Sequence, residues 1–439
     1  MSTDSNKAPQ SLREVSNVTT PERAREIAVA LLTGGSDRPY VFGLTKALMS
    51  KRAALDLIGS DELDFPEFRS NPGVNHLNLR GSQREDVSFV RKAFRISMYY
   101  AKLIQYAAKA KPKIFHILWN NRFEVFDRTL LMLYYRLLGK KIVLTVHNVN
   151  QGRRDSSDTW LNRFTLKIQY RLANHIFVHT EKMKVELTEE FGVQRAWVTV
   201  IPFGINNAVP NTSLTLGDAK QRLGIRKEDR PILFFGRITP YKGLEYLIAA
   251  FRLVLARGGE YRLIIAGKPD KCDEYWSAIR QEIRADVERG QILLKDEFIP
   301  DEETEVYFKA ADALVLPYRN VYQSGVLFLG HSFGLPVLAA DVGSLKDEIV
   351  EGKTGFSFKP EDPVDLARAI EQYFASNLYT DLKSRRQQIR DYATERHSWD
   401  VVGQITMNVY ADLLQLRVLE KVSNHDVRSS ASLDLNAPS

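Results

Sequence analysis

Cysteine is nearly absent from this sequence of 439 residues, which contains only Cys272. A lone cysteine cannot form an internal disulfide, so a small disulfide-stabilised secreted fold is excluded and a reducing compartment is favoured. We assign Cys272 no role. Runs of about 20 apolar residues, the length that spans a bilayer, are missing, and the polar start of the chain lacks the apolar core of a signal peptide. We therefore expect a cytoplasmic protein.

Two phosphate-binding motifs are missing as well. The sequence contains no GxxxxGKS or GxxxxGKT motif, and no GxGxxG follows a predicted strand. These absences argue against a P-loop ATPase and against dinucleotide binding. No acidic pair of the DxD type lies at the end of a predicted strand, so we expect no metal ion.

Charge is distributed unevenly along the chain. The net charge is +7, but residues 1–200 contain 31 Lys and Arg against 20 Asp and Glu, whereas the remainder contains 30 against 34. Between Arg91 and Lys184 there are 19 basic and 5 acidic residues. Such a local excess indicates an anionic partner. We expect no nucleic acid, because no recognised binding motif accompanies the charge.

Short apolar runs alternate with helical patterns in both halves of the chain. The first series of predicted strands includes AREIAVALL, AALDLIGS, KIFHILWNN, KIVLTVHNV, HIFVHT and WVTVIP, and the second PILFFG, YRLIIAG, QILLKDE, ADALVLP and PVLAAD. Apolar strands that alternate with helices are typical of parallel sheets covered on both faces. The sequence therefore predicts an α/β fold of two facing, doubly wound Rossmann-like domains.

The domain boundaries follow from the same pattern. We expect a disordered leader (1–22), an N-terminal domain (23–210), a C-terminal domain (211–392), a crossover helix (393–422) and a disordered tail (423–439). The helical pattern that begins at WDVVGQITM comes after the second domain is complete, so we expect it to return to the first.

The loop GRITPYKG, residues 236–243, carries two cations where a predicted strand turns into a helix. Ligands of parallel sheets bind at the carboxyl ends of the strands, and an arginine fork plus a lysine suits a diphosphate leaving group. The alternative is a surface loop with two solubilising charges. Further along, SGVLFLGHSFG predicts a buried helix. The N–H groups of its first turn could hold phosphate oxygens, or the serine could simply cap the helix.

Four stretches in fixed order carry a family resemblance: GRITPYKGLEYLIAAF, LIIAGKP, FIPDEETEVYFKAADALVLPY and SGVLFLGHSFGLPVLAADVGSLKDEIVEGKTGFSF. They resemble the C-terminal domain of the family 4 retaining glycosyltransferases of GT-B fold, over most of residues 231–375. The N-terminal half is similar mainly in organisation, through TGG, TVHN and IFVHTEKMKVEL. The resemblance implies transfer of a hexose-type sugar, with retention, from a UDP- or GDP-type donor to an acceptor hydroxyl, without a further cofactor.

The resemblance also implies the site residues. Arg237 and Lys242 would bind the diphosphate and replace a metal ion, and His147 would line the sugar site as a catalytic residue, unless it is structural. The acceptor would attack the anomeric carbon from the same face from which the leaving group departs. The task of the protein would then be to position the reactants and to stabilise charge. The implied donor-binding residues are Gly34, Gly35, Gly236, Phe298, Ile299, Gln323, Ser324, Gly325 and Val326.

One feature departs from the family pattern. Many relatives carry two glutamates eight residues apart, and the corresponding positions here are Val321 and Leu329. Neither side chain can accept a hydrogen bond. We expect Gln323 to substitute near the sugar, while the ribose contacts, the donor and the activity itself stay open.

Segment 90–113 contains seven basic residues and no acid. One interpretation is a helix that packs on its sheet with a solvated basic face. In the other, segments 90–113 and 151–175 lie on an anionic membrane surface, at its inner face, and present a lipid-linked saccharide acceptor. The basic face contains Arg95, Lys102 and Lys109, and an apolar stripe contains Phe94, Met98, Ala101 and Ile104.

Two other functions fit the same two-domain cleft. A sugar-nucleotide epimerase would turn over its substrate without any acceptor. A non-catalytic relative would act as a binding partner and show no donor-dependent turnover. The sequence leaves open the sugar, the base, the acceptor, the linkage and the oligomeric state.

Overall fold

The fold is built on two parallel sheets. The computed structural model describes residues 27–34, 37–82, 89–154, 157–205 and 209–416. The strands of the first sheet are β1 (Ala28–Leu32), β2 (Ala54–Gly59), β3 (Val74–Asn78), β4 (Ile114–Ile117), β5 (Lys141–Thr145), β6 (His175–Val178) and β7 (Val198–Val200). They lie in the order β3-β2-β1-β4-β5-β6-β7, so the direction of winding reverses between β1 and β4.

The second sheet repeats this arrangement. Its strands are β8 (Arg230–Phe235), β9 (Tyr261–Ala266), β10 (Ile292–Lys295), β11 (Ala313–Leu316), β12 (Val337–Ala340) and β13 (Gly355–Phe358). They lie in the order β10-β9-β8-β11-β12-β13, and the winding reverses between β8 and β11. Crevices at such reversal points are the usual ligand sites of open parallel sheets.

Helices cover both sheets. They are α1 (Arg38–Ser50), α2 (Pro66–Arg69), α3 (Phe89–Lys109), α4 (Glu124–Phe126), α5 (Met132–Leu137), α6 (Gln151–Arg154), α7 (Trp160–Leu172), α8 (Glu181–Phe191), α9 (Leu216–Arg222), α10 (Leu244–Ala256), α11 (Asp273–Glu288), α12 (Asp301–Ala310), α13 (Gly325–Ser332), α14 (Pro363–Phe374), α15 (Asn377–Thr380), α16 (Leu382–Arg396) and α17 (Trp399–Leu413). A π-helical turn, Asp127–Leu131, joins α4 to α5. Every residue of β4, β11 and β12 is buried, as expected when helices pack on both faces.

The predicted two-domain α/β fold is confirmed. Two strands were missed by the sequence analysis, β3 and β13, and each is the last strand at one edge of its sheet. The sequence of β3, VNHLN, alternates polar with apolar residues and is only partly buried. Edge strands need fewer apolar residues, so they lack the continuous apolar run that marked the central strands.

The C-terminal helix returns to the first domain, as predicted. Trp399 of α17 packs against Gly43 of α1, where a Cβ atom would lie 2.1 Å from the indole ring. The indole Nε1 donates a hydrogen bond to the carbonyl oxygen of Ile205 at 2.7 Å. The domain boundaries themselves stay predictions, and the predicted leader and tail, 1–22 and 423–439, lie outside the described residues.

Helix α3 packs on its sheet, but not through its apolar stripe. The stripe is in solvent, since Phe94 is 68% exposed and Met98 is 41% exposed. The buried side is a different row that supplies two large aromatic rings to the core. Its members are Tyr99, Tyr100, Leu103 and Ala107.

No helix within the described ranges is long and apolar enough to cross a membrane.

Candidate active site

The carboxyl ends of the two sheets border one cleft. Arg38 begins the helix that follows β1, and its guanidinium lies 2.9 Å from the carboxylate of Asp301, which begins the helix that follows β10. On the other side, Lys182 Nζ in α8 donates a hydrogen bond to the carbonyl oxygen of Gly343, beyond β12, at 2.6 Å. Loops that follow strands of both domains therefore face each other.

Lys242 lies at the floor of the loop that follows β8. Its side chain is buried, and Nζ lies 5.5 Å from the ring centre of Tyr318 and 6.0 Å from that of Phe234. Gly236 leaves room for this ammonium, because a Cβ atom there would lie 3.1 Å from Nζ. Aromatic faces attract a cation, so Lys242 is held in place before any ligand arrives.

Arg237 is the exposed one of the two predicted cations. Its side chain is 77% exposed, and its guanidinium lies 3.2 Å from the carboxylate of Asp270. An exposed ion pair of this kind contributes about 0–1 kcal/mol. A diphosphate can therefore displace Asp270 at little cost.

The start of α13 is open to a ligand. Ser324 stands at the N-cap position, but its side chain makes no capping hydrogen bond, and its Oγ instead lies 3.4 Å from the hydroxyl oxygen of Tyr318. Gly325 is exposed, and nothing lies within 4 Å of where its Cβ would be. Val326 approaches the loop after β8, 3.5 Å from the Cβ position of Gly236. The structure thus brings Gly236, Lys242 and the first amides of α13 together.

The positions of the missing glutamates belong to the core of the second domain. Val321 is 7% exposed and Leu329 is 5% exposed, and both pack in its hydrophobic cluster. Neighbouring Gln323 has a buried carboxamide oxygen without a hydrogen-bond partner in the described part of the chain. Such an atom needs an explanation, and an acceptor waiting for a ligand hydroxyl is one.

Phe298 and Ile299 lie farther along the same edge. They follow β10, which is two strands away from β8. Phe298 is 72% exposed, whereas Ile299 is buried. The resemblance implies that the backbone of this pair lies against the base of the donor and not at the diphosphate, so this assignment stays a prediction.

On the first domain, Gly34 follows β1 in a conformation that favours glycine. Its φ is +59°, and a Cβ atom there would lie 2.5 Å from the carbonyl oxygen of Trp119. The predicted partner Gly35 lies outside the described residues. Trp119 in turn stacks on His147, with ring centres 4.1 Å apart and planes at 2°. Gly34 and His147 thus share one wall.

The hydrogen bonds of His147 define its tautomer. Nδ1 of His179 lies 3.3 Å from the carbonyl oxygen of Ile201, which can only accept, so His179 carries its proton on Nδ1. Nε2 of His179 then accepts from Nδ1 of His147 at 3.1 Å. Nε2 of His147 is left as an acceptor, buried and without a partner among the described residues.

Burial keeps these histidines neutral. It lowers the pKa of His147 well below its ordinary value, and the like charge that His179 or His116 would carry when protonated lowers it further. Burial also lowers the pKa of His179 to about 4. At neutral pH, His147 can therefore accept a hydrogen bond from a hydroxyl group but cannot donate one through Nε2.

Two family descriptions match this arrangement of domains. Residues 38–209 match Glycosyltransferase Family 4, and residues 229–376 match Glycosyl transferases group 1. The chain belongs to glycosyltransferase family 4. An uncharacterized glycosyltransferase of Methanocaldococcus jannaschii is 27% identical over 390 residues, which are 85% of this chain and 93% of the relative.

A D-inositol 3-phosphate glycosyltransferase of Streptomyces avermitilis is 26% identical over 257 residues, 58% of this chain. The chain spans only 55% of the length of that relative. Among solved structures, sucrose-phosphate synthase from Thermosynechococcus elongatus superposes with a TM-score of 0.70 at 18% identity, covering 89% of this chain and 100% of the other. Anabaena Alr3699/HepE in complex with UDP and glucose has a TM-score of 0.68 at 16% identity, covering 88% and 100%. These likenesses confirm the GT-B fold.

Three residues of this family 4 chain escaped the sequence analysis: Trp119, His179 and Phe203. Phe203 links the histidines to α13, since its ring centre lies 4.9 Å from that of His179 and 5.1 Å from that of Phe328. Trp119 lies two residues after the end of β4, and His179 lies directly after the end of β6. Because ligands bind at the carboxyl ends of parallel strands, these positions could have marked both as candidate site residues. Their pairing with His147 could not be predicted, because it joins three separate strands.

No group of three or more His, Cys, Asp or Glu residues within the described ranges could hold a metal ion. The expectation of a metal-independent reaction stays a prediction.

Proposed function

We propose that the protein is a retaining glycosyltransferase that moves a hexose-type sugar from a nucleoside diphosphate to an acceptor hydroxyl. The observation that carries this proposal is the convergence of Lys242, Gly236 and the uncapped start of α13, with Arg237 exposed in the same loop as Lys242. Two cations and free amides suit a diphosphate. Anabaena HepE was crystallised with UDP and with UDP-glucose, which supports a UDP-type donor. No further cofactor is required.

In the proposed reaction, a bond forms between the acceptor oxygen and the anomeric carbon while the bond from that carbon to the diphosphate breaks. The acceptor proton passes to a diphosphate oxygen. Arg237 and Lys242 stabilise the charge that develops on the leaving group. Nε2 of His147 accepts a hydrogen bond from a hydroxyl of the transferred sugar, and the Gln323 carboxamide does the same from the second domain.

We place this reaction at a membrane surface, in polysaccharide or glycolipid synthesis. Exposed Phe94 and Met98 on α3 stand beside basic residues with no acid in segment 90–113. Apolar side chains flanked by lysine and arginine are what an anionic bilayer surface binds. The proposal therefore includes a peripheral location at the inner face of the membrane and a lipid-linked saccharide acceptor.

Segment 151–175 supports this location through its aromatic residues more than through its charge. Arg153 forms ion pairs with Glu186 and Glu190, so part of the basic charge is neutralised within the protein. Trp160 is 77% exposed and stacks on Phe164, with ring centres 5.4 Å apart. Amphipathic aromatic rings favour the boundary between lipid and water.

Calorimetric titration with UDP, GDP and ADP tests the proposal. We expect one nucleotide to bind with a micromolar Kd, and Arg237→Ala to weaken it at least about tenfold, as loss of a charge-assisted contact does. Arg280→Ala is the matched control, because Arg280 is 66% exposed in the same domain and also lies near one carboxylate, 3.8 Å from Asp296. Failure of all three nucleotides to bind would contradict the proposal.

A second function is favoured by one observation, the burial of Val321 and Leu329 in the core. A family member without those acids could be a non-catalytic binding partner. It would show no donor-dependent turnover, and His147→Ala would change its behaviour little. Turnover of a nucleotide sugar without any acceptor would instead indicate an epimerase.

A further inference from the structure

A second cation-rich cavity lies on the first domain, beside the loop that contains Gly34. The cavity has a volume of about 50 Å³, several times that needed for one water molecule. Its polar lining is made of three arginines, two tyrosines and one asparagine: Arg80, Arg95, Arg122, Tyr99, Tyr100 and Asn121.

The fold brings the three arginines to this place from separate elements. Arg80 follows β3, Arg122 follows β4, and Arg95 lies near the start of α3. Arg80 donates a hydrogen bond to the carbonyl oxygen of Gly34, and Arg95 donates one to the carbonyl oxygen of Ser82. Arg80 and Arg95 are therefore each anchored to a main-chain carbonyl and only partly exposed, which is unlike arginines that are spread over a surface for solubility.

No described residue that lines the cavity is acidic. Within the described residues, none of the three arginines forms an ion pair with a carboxylate. The carboxyl group of Asp127 is buried behind the wall, where it accepts hydrogen bonds from Tyr100 at 3.2 Å and from Asn121 at 3.3 Å. Both oxygen atoms of Asp127 therefore already accept hydrogen bonds from the lining residues.

We propose that Arg80, Arg95 and Arg122 bind a phosphate group carried by the acceptor. Guanidinium forks match the oxygen geometry of a phosphate, and three of them at one small cavity favour a group of high charge density. This inference rests on the proposed function, because it needs an acceptor. The donor diphosphate has its own cations in the other domain.

The position of the cavity relative to His147 supports an acceptor group. Trp119 stacks on His147, and Asn121, two residues further along the same loop, lines the cavity. A phosphate bound there would anchor the acceptor one loop away from the sugar site. Its hydroxyl could then reach toward the anomeric carbon, which is the positioning that transfer requires.

The test measures binding of inorganic phosphate and of glycerol 3-phosphate to the full chain by calorimetry at low salt. Arg237→Ala serves as the background, so that the donor site does not compete. We expect binding to one site, weakened at least tenfold by Arg95→Gln or by Arg122→Gln. Arg52→Gln is the matched control, because Arg52 is exposed on the first domain, outside both the cavity and the basic segments 90–113 and 151–175, and should leave the Kd unchanged.

A second arm uses vesicles that contain phosphatidic acid. If Arg95→Gln and Arg122→Gln reduce vesicle binding and Arg52→Gln does not, the phosphate belongs to a lipid headgroup; if they affect only glycerol 3-phosphate, it belongs to a soluble acceptor. Absence of binding in both arms, or an equal loss in the Arg52→Gln control, would overturn the inference. Nucleotide binding by the wild-type chain reports separately on the proposed function, so failure of one is distinguishable from failure of the other.

Discussion

Nδ1 of His147 lies 3.1 Å from Nε2 of His179, and this hydrogen bond determines which nitrogen of His147 is left for a ligand. His179 is itself held by the carbonyl oxygen of Ile201. The two contacts form a chain in which each imidazole donates through Nδ1 and accepts, or is free to accept, through Nε2. His179 therefore acts as a positioning residue for His147.

Replacement of His179 tests this arrangement. In His179→Leu, Nδ1 of His147 loses its acceptor, so the imidazole can change tautomer or rotate, and we expect kcat to fall about tenfold or more. The Kd of the nucleoside diphosphate should not change, because the diphosphate contacts lie in the other domain. His179→Gln keeps an acceptor oxygen and should restore part of the rate. Equal losses in the two variants would show a packing role only.

His331 gives a prediction about stability and pH. It is fully buried in α13, neither ring nitrogen has a hydrogen-bond partner among the described residues, and burial lowers its pKa to about 3. The unfolded chain takes up a proton on this histidine below about pH 6.5, whereas the folded chain does not, so stability falls as the pH falls through that value.

His331→Leu should therefore raise the melting temperature at pH 7.5, because it removes an unsatisfied buried polar group. The difference in the free energy of unfolding between His331→Leu and wild type should grow by about 2 kcal/mol, in favour of the variant, as the pH falls from 7.5 to 5. His116→Leu is the contrast, because both nitrogens of His116 are hydrogen-bonded, to Tyr410 and Thr145, and its loss should destabilise the protein at pH 7.5. A pH-independent difference between His331→Leu and wild type would contradict the argument.

Gly236 is predicted to matter for the ligand more than for the fold. An alanine at this position has a φ of +94° and places its Cβ 3.1 Å from Lys242 Nζ, so the ammonium must move. We expect Gly236→Ala to raise the Kd of the nucleoside diphosphate about tenfold, since a charge-assisted contact is displaced. Gly258→Ala is the control, because Gly258 also has a positive φ, +84°, with nothing within 4 Å of its Cβ position. Similar Kd values for the two variants would rule out a steric effect on Lys242.

The sequence could predict the central strands, the two Rossmann-like domains and the loop that carries Arg237 and Lys242, because all of these depend on local pattern or on residues adjacent in the chain. The GT-B arrangement came only from the family resemblance. The sequence could not predict that Lys242 is buried while Arg237 is exposed. It also could not predict the contact between His147 and His179, which follow two different strands. Nor could it predict the cavity that Arg80 lines together with Arg95 and Arg122. Contacts between distant segments depend on sheet order, which periodicity alone does not contain.

The exposed stripe of α3 gives the last prediction. Phe94 and Met98 are open to solvent although the helix packs on its sheet through other residues, so their loss should not unfold the domain. We expect Phe94→Ser combined with Met98→Ser to reduce flotation with vesicles rich in anionic lipid at physiological salt, since burial of apolar area strengthens interfacial binding. Val364→Ser is the matched control, because Val364 is 62% exposed on the second domain, away from the basic segments. Unchanged flotation of the double variant, at unchanged melting temperature, would exclude α3 as the membrane-facing surface and leave segment 151–175, with Trp160 and Phe164, as the next to be tested.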